Sequence, residues 1–214
     1  MRGSKATEAI SKEIAASALR FSRNDVRDAK PLLKVVGNIP YYITSPILLY
    51  LIRFREVVDS AYLTIQREVA DRIFAQPATK SYGRLTLLVR FYAEVERAFE
   101  IFRNCFSPKP NVDSTVIRLE FRRSLPDSIN EQILFDLIKA GFAERRKNIL
   151  NAMSNGFDRK FTKDQIQRFL VSARIDPKSR AETLMLKDFI CLTEVMSLVS
   201  DTEERCPTPG HYAR

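Results

Sequence analysis

Cysteine and histidine are scarce in this chain. Cys105, Cys191 and Cys206 stand far apart with no C-x-x-C pair, and His211 is the only histidine in 214 residues, so neither a disulfide framework nor a zinc site is suggested. His211 reads as a solvated residue of the tail, because no second ligand candidate lies near it. Long apolar runs are also missing. The longest, PILLYLI, is closed by Arg53, far short of the roughly 20 residues that a membrane span needs, and no secretory segment is evident. These absences argue against a metal centre and a membrane partner. They point to a reducing, cytoplasmic setting, with an organellar matrix or stroma left open if a targeting segment has been removed. Glycine is sparse too: of six, only Gly3 and Gly37 precede residue 80.

What the chain has in excess is positive charge. Its formal net charge is +9 and its pI about 9.6, which favours a polyanionic partner, since Lys and Arg bind phosphates with release of counterions. Nucleic acid comes first and an anionic membrane surface second. With 45% hydrophobic and 29% charged residues, the composition is that of a globular chain able to bury a core.

Two halves follow from the patterning. Between Leu32 and Phe121 short apolar runs alternate with helical patterns: LLKVV then PILLYLIRF, SAYLTIQ then REVADRIFA, GRLTLLVRFY then AEVERAFEIF, and finally STVIRLEF. Such alternation predicts an α/β fold with crossover helices. Beyond the polar bridge Arg122–Asp127 the apolar residues recur only at helical spacing, as in Ile133, Leu134, Leu137 and Ile138, then Ile166, Phe169 and Leu170, then Phe189, Leu192 and Met196. The expected organisation is an incomplete Rossmann-like domain over 1–125, an all-helical domain over 126–205 and a tail over 206–214.

One stretch in the first half carries chemistry. GNIPYYITSP, Gly37–Pro46, separates a strand-like run from a helical one, with Ser45 as expected N-cap and Pro46 as first helical residue. In open α/β sheets the carboxyl edge of the strands is where ligands bind. The exocyclic amine of adenine is a weak nucleophile because its lone pair is delocalised into the ring. The Asn38 side-chain oxygen and the Ile39 carbonyl are two acceptors that would localise that pair and stabilise the charge developing on nitrogen. Pro40 stiffens the loop, and Tyr41 offers a ring face for a splayed-out base.

At this point the chain resembles the KsgA family of ribosomal RNA adenine dimethyltransferases. VVGNIPYYITSPIL, QREVADRI, SYGRLTLLVRFYAEVE, FSPKPNVDSTVIRLEF, AGFAERRKNILNAM and IDPKSRAETLMLKDF carry the resemblance in order, from about Leu32 to Leu198. It implies a class I methyltransferase sheet with a helical C-terminal domain, S-adenosyl-L-methionine as donor, and small-subunit rRNA in ribosome biogenesis as substrate. It also implies that Asn38 and the Ile39 carbonyl hold the target amine, that Tyr41 stacks on the base and that Phe106 in FSPKP closes its other face. A core aromatic is the competing reading of Phe106. On the donor side the resemblance assigns Asn38 and Ser17, the latter standing in ASALRF where the family has an aspartate. The G-x-G turn that would cradle the donor has no counterpart in the first 80 residues. The expectation is therefore a truncated member, inactive alone, whose LLKVV strand forms an exposed apolar edge that favours self-association.

The basic residues supply the RNA reading. Arg84, Arg103, Lys109, Arg145, Arg146 and Lys147 are the candidates for phosphate contact, with a merely solvated helix face as the alternative for the RRK run. Arg180-Ala181-Glu182 reads as a helix start with a local ion pair. Two other functions compete: a non-catalytic rRNA-binding assembly factor, and a resistance methyltransferase acting on large-subunit rRNA. A DNA adenine methyltransferase ranks last, because the helical-domain segments extend the resemblance well past the adenine-handling turn.

Overall fold

The computed structural model describes residues 33–126, 129–157 and 161–204, the side chains of 199–204 excepted. The chain divides into two compact units, the first comprising the described residues up to Ile65 with Ala93–Arg123, the second Gln66–Tyr92 with the described residues from Ser124 on.

The first unit is built on a four-stranded sheet. Strands β1 (Leu33–Asn38), β2 (Val58–Gln66), β3 (Ala93–Ile101) and β4 (Ser114–Phe121) lie in the order β1-β2-β4-β3. The inner strands bury one face in alternation: Ala61, Leu63 and Ile65 on β2 are buried and alternate with half-buried Tyr62 and Thr64, while Ile117, Leu119 and Phe121 on β4 are buried on either side of half-buried Arg118 and exposed Glu120. β1 runs parallel to β2, and helix α1 (Thr44–Arg53) crosses between them, burying Leu48, Leu51 and Ile52. At the end of the described sheet, β1 leaves Leu33 and Val36 exposed, Val36 at 80%.

Two local expectations are corrected here. The run GRLTLLVRFY, grouped with the strands in the sequence reading, is helix α3 (Arg84–Tyr92), and the following AEVERAFEI is strand β3. Nearly all of α3 from Thr86 on is buried, and an apolar run buried all round carries no period to separate helix from strand. In β3 the Ala, Glu and Arg content favours helix, yet antiparallel pairing with β4 overrides it. Cross-strand ion pairs, Arg118–Glu96 at 3.6 Å and Arg122–Glu94 at 3.2 Å, accompany that pairing. The other correction concerns α1, which starts at Thr44 after a 3₁₀ turn over Tyr41–Ile43, with no side-chain cap from Ser45. Pro46 is still within the first turn, where its missing N–H costs nothing.

The second unit is helical. It contains α2 (Arg67–Ile73), α3, α4 (Glu131–Gly141), α5 (Ile149–Gly156), α6 (Lys163–Ser172) and α7 (Leu186–Glu204). The segment Gln66–Tyr92, which the sequence reading groups with the sheet, belongs to this unit. Its ties explain why. The Tyr82 hydroxyl donates to the Leu184 carbonyl at 2.8 Å, the Ala78 N–H to the Glu182 carbonyl at 2.7 Å, and Thr86 Oγ1 to the Arg72 carbonyl at 2.5 Å. Helix starts are capped by side chains the sequence provides: Asn130 for α4, Asn148 for α5, and a reciprocal Thr162–Gln165 capping box for α6. Close helix packing depends on glycine at position 156, where a Cβ would come within 2.5 Å of Ala140 Cβ.

Candidate active site

The adenine-handling turn grows directly out of β1. Asn38 is in register with Thr64 of β2, and the Ile39 N–H continues the ladder one residue further, donating to the Thr64 carbonyl at 3.2 Å. Ile39 then buries its side chain, at 5% exposure, which anchors the turn. Pro40 starts the 3₁₀ turn, closed by the Ile43 N–H donating to the Pro40 carbonyl at 3.1 Å and braced by Thr44 Oγ1 donating to the Tyr41 carbonyl at 3.2 Å. Among the described residues, these shaping bonds use neither the Asn38 carboxamide nor the Ile39 carbonyl. Asn38 is exposed. Gly37, just before it, has no positive φ, and an added Cβ would meet only Ile39 Cγ1 and Leu63 Cδ2 at 4.0 Å. Neither a positive φ nor a close contact therefore requires glycine at this position.

Tyr41 is held from a distant part of the chain. Its hydroxyl lies 2.8 Å from Ser114 Oγ, at the buried first residue of β4. The preceding Asp113 accepts the Arg103 N–H at 3.0 Å, capping a 3₁₀ turn over Arg103–Cys105 that ends on Phe106. Phe106 is half-buried and Lys109 exposed. Thus Asn38–Tyr41 and the Phe106 turn, about 65 positions apart in sequence, are tied to consecutive residues at the start of β4. Ser114 and Asp113 are the residues that sequence reasoning missed. An Asp-Ser pair before an apolar strand signals only a strand start; its partners are set by the tertiary fold. Tyr42, the second tyrosine of the turn, is 76% exposed.

Arg84 and Arg145 meet in the second unit. They line a cleft of about 530 Å³ together with Glu68, Arg72 and the loop Lys80–Gly83. Arg145 is committed to that loop, donating to the Lys80 carbonyl at 2.7 Å and the Tyr82 carbonyl at 3.3 Å while pairing with Glu182 at 3.3 Å. Lys147 pairs with Glu144 at 2.8 Å, and hydrogen bonds from Lys147 and then Asn155 draw the Glu144 carboxyl below its usual range. Arg146 is exposed. Arg180 precedes a 3₁₀ turn over Ala181–Thr183 and pairs with Glu182 at 3.9 Å, matching its sequence reading. Tyr82, 2% exposed, has its hydroxyl pushed up to about 12, chiefly by burial. Ser17, His211 and the tail lie outside the described residues. Among the described residues no group of three His, Cys, Asp or Glu could hold a metal ion, and no helix is long and apolar enough to cross a membrane.

A mixed sheet whose first described strand ends on an Asn-Ile-Pro-Tyr turn, joined to a helical unit, is a fold of the Rossmann-like, class I methyltransferase type. The family model described as ribosomal RNA adenine dimethylase matches residues 11–194, and the chain belongs to this family. It is 41% identical over 169 residues to the ribosomal RNA small subunit methyltransferase A of Geobacillus sp. (strain WCH70), an alignment covering 78% of this chain and 58% of that protein. Among solved structures it is similar to a dimethyladenosine transferase from Plasmodium falciparum, with a TM-score of 0.65 and 25% identity over 84% of this chain and 70% of the other. It shares the fold of the 23S rRNA methyltransferase ErmE, with a TM-score of 0.54 and 23% identity over 80% of this chain and 69% of that one. The chain spans little more than half the length of curated relatives such as the Geobacillus protein.

Proposed function

We propose that this chain is the acceptor-handling part of an rRNA adenine N6,N6-dimethyltransferase acting on small-subunit rRNA in ribosome biogenesis. The observation that carries the reading is the convergence of the Asn38–Tyr41 turn and the Phe106 turn on Ser114 and Asp113. Asn38 presents an exposed carboxamide oxygen that accepts an amine N–H of the target adenine, with the Ile39 carbonyl as second acceptor. Two acceptors on the amine concentrate its lone pair on nitrogen and stabilise the positive charge that develops there. Tyr41, tethered through its hydroxyl, and Phe106 are the rings for an unstacked base. Asn38 is not a base, so the proton leaves after transfer.

The donor of such a reaction, S-adenosyl-L-methionine, supplies an electrophilic methyl group when bound. Asn38 at the end of β1 would meet it, but the described residues hold no glycine-rich turn next to that edge. By themselves they do not make a donor site, and the reading rests on the acceptor side alone. A second reading follows from that observation: an rRNA-binding assembly factor without catalysis. Incubating the protein with S-adenosyl-L-methionine and undermethylated small ribosomal subunits, followed by mass spectrometry of the rRNA, separates the two. Dimethyladenosine formed in an Asn38-dependent way supports the enzyme. Retained rRNA without product supports the assembly factor, and absence of both overturns each reading. We further propose that the edge of β1, unpaired among the described residues, allows self-association.

A further inference from the structure

We infer that the cleft between α2, the Lys80–Gly83 loop and the start of α3 is a seat for the RNA sugar–phosphate backbone, with Lys80 and Arg84 as the contacting cations. The inference rests on the RNA-directed function proposed above. Four cations line this cleft against one carboxylate, Glu68. Two of the four are already compensated: Arg72 by Glu68 at 2.5 Å and Arg145 by Glu182 at 3.3 Å. Lys80 and Arg84 are exposed and have no ion pair among the described residues, so the net positive field of the cleft falls on them. At about 530 Å³ the space is within the range of small-ligand pockets. Its lining is mostly polar, with Ser81 and Thr86 beside the cations, which suits a hydrated anion better than an apolar ligand.

The loop that carries Lys80 is fixed before any partner arrives. Arg145 grips the carbonyls of Lys80 and Tyr82, Tyr82 is anchored to Leu184, and Thr79 Oγ1 donates to the Gln76 carbonyl at 2.6 Å. Ala78 is held at φ 65° with its N–H on Glu182, a left-handed conformation that a residue with a Cβ adopts only when its surroundings impose it. A rigid loop loses little entropy when its cation meets a phosphate. Arg145, in this arrangement, braces the loop rather than touching RNA. Uncompensated cations in a polar concavity are recognised by phosphate charge and not by base identity, so the seat is sequence-independent.

Fluorescence anisotropy of a labelled RNA hairpin over a salt series tests the inference with the full chain. In Lys80→Gln/Arg84→Gln, the plot of log affinity against log salt should become flatter by about 1.5, since each phosphate contact contributes about 0.7–0.9 to the slope. Affinity at low salt should fall tenfold or more, with circular dichroism unchanged because both side chains are exposed and make no ion pair among the described residues. Lys163→Gln/Arg168→Gln, which removes the same charge from α6, should leave the slope within 0.5 of the parent. An unchanged slope in the cleft variant, or an equal flattening in the α6 variant, overturns the seat while leaving the RNA function standing. A parent protein with no salt-dependent RNA binding overturns both.

Discussion

Tyr41 and Ser114 are 73 residues apart in sequence, yet their hydroxyl oxygens lie 2.8 Å from each other, joining the turn after β1 to the first residue of β4. Because Ser114 is fully buried, an unmade bond there leaves a polar group without water, which costs more than a surface hydrogen bond gains. The tether fixes Tyr41 without using its ring face. Tyr41→Phe and Ser114→Ala should each lower unfolding free energy by about 1 kcal/mol. Their double-mutant cycle should give a coupling of at least 0.5 kcal/mol. Urea unfolding measures this, and additive losses would deny the bond any role.

Asn38→Ala should behave differently, because Asn38 is exposed and supports no part of the fold. Stability should stay within about 0.5 kcal/mol, whereas in a version of the protein that carries the donor-binding glycine-rich turn, single-turnover methyl transfer to small-subunit rRNA should fall by about 10²-fold or more, with RNA affinity little changed. Phe106→Ala should instead weaken capture of the unstacked base by about 1–3 kcal/mol. Transfer at the parental rate by Asn38→Ala would remove the carboxamide from the mechanism.

The adjacent arginines 145 and 146 should separate cleanly. Arg145→Met loses two charge-assisted bonds to backbone carbonyls and an ion pair, and should cost about 1–2 kcal/mol. Arg146→Ala, at an exposed position, should stay within about 0.5 kcal/mol. Thermal denaturation of the two variants side by side is the test, and equal effects would show that Arg145 does not brace the loop.

Tyr82 makes the second unit sensitive to alkaline pH. Its folded-state pKa is raised from 10.0 to about 12, so the folded protein holds the phenolic proton more tightly than the unfolded chain does. The resulting stability is fully present below pH 10 and is lost as pH rises toward 12. Tyr82→Phe removes this dependence while giving up the bond to Leu184. Its melting temperature should start lower at pH 8 and decline less steeply above pH 10. Parallel curves for parent and variant would refute the linkage.

The edge of β1 offers a solubility test. Val36 is 80% exposed on a strand at the end of the described sheet, and a flat apolar edge templates pairing with another chain. Val36→Lys should reduce concentration-dependent association in light scattering, since a lysine on an edge strand opposes pairing. A parent protein that stays monomeric at every concentration would show that the edge does not associate.

Local chemistry fixed much of this molecule in advance. The apolar runs LLKVV, SAYLTIQ and STVIRLEF became β1, β2 and β4, and the 3.6-residue spacing around Leu134, Phe169 and Phe189 became α4, α6 and α7, because each segment's own periodicity dictates which face is buried. The Asn-Ile-Pro-Tyr turn was legible for the same reason, its proline and its place after a strand being local signals. Tertiary structure decided the rest. GRLTLLVRFY and AEVERAFEI exchanged their expected states, since full burial erased the period of one and cross-strand pairing with β4 overrode the helix propensity of the other. Arg145 turned inward to two carbonyls because a guanidinium has enough donors to satisfy a loop that no neighbour in sequence reaches. Ser114 and Asp113 acquired their roles only when folding brought them to Tyr41 and Arg103, for a hydrogen bond between distant residues depends on where the chain returns, which no local pattern encodes.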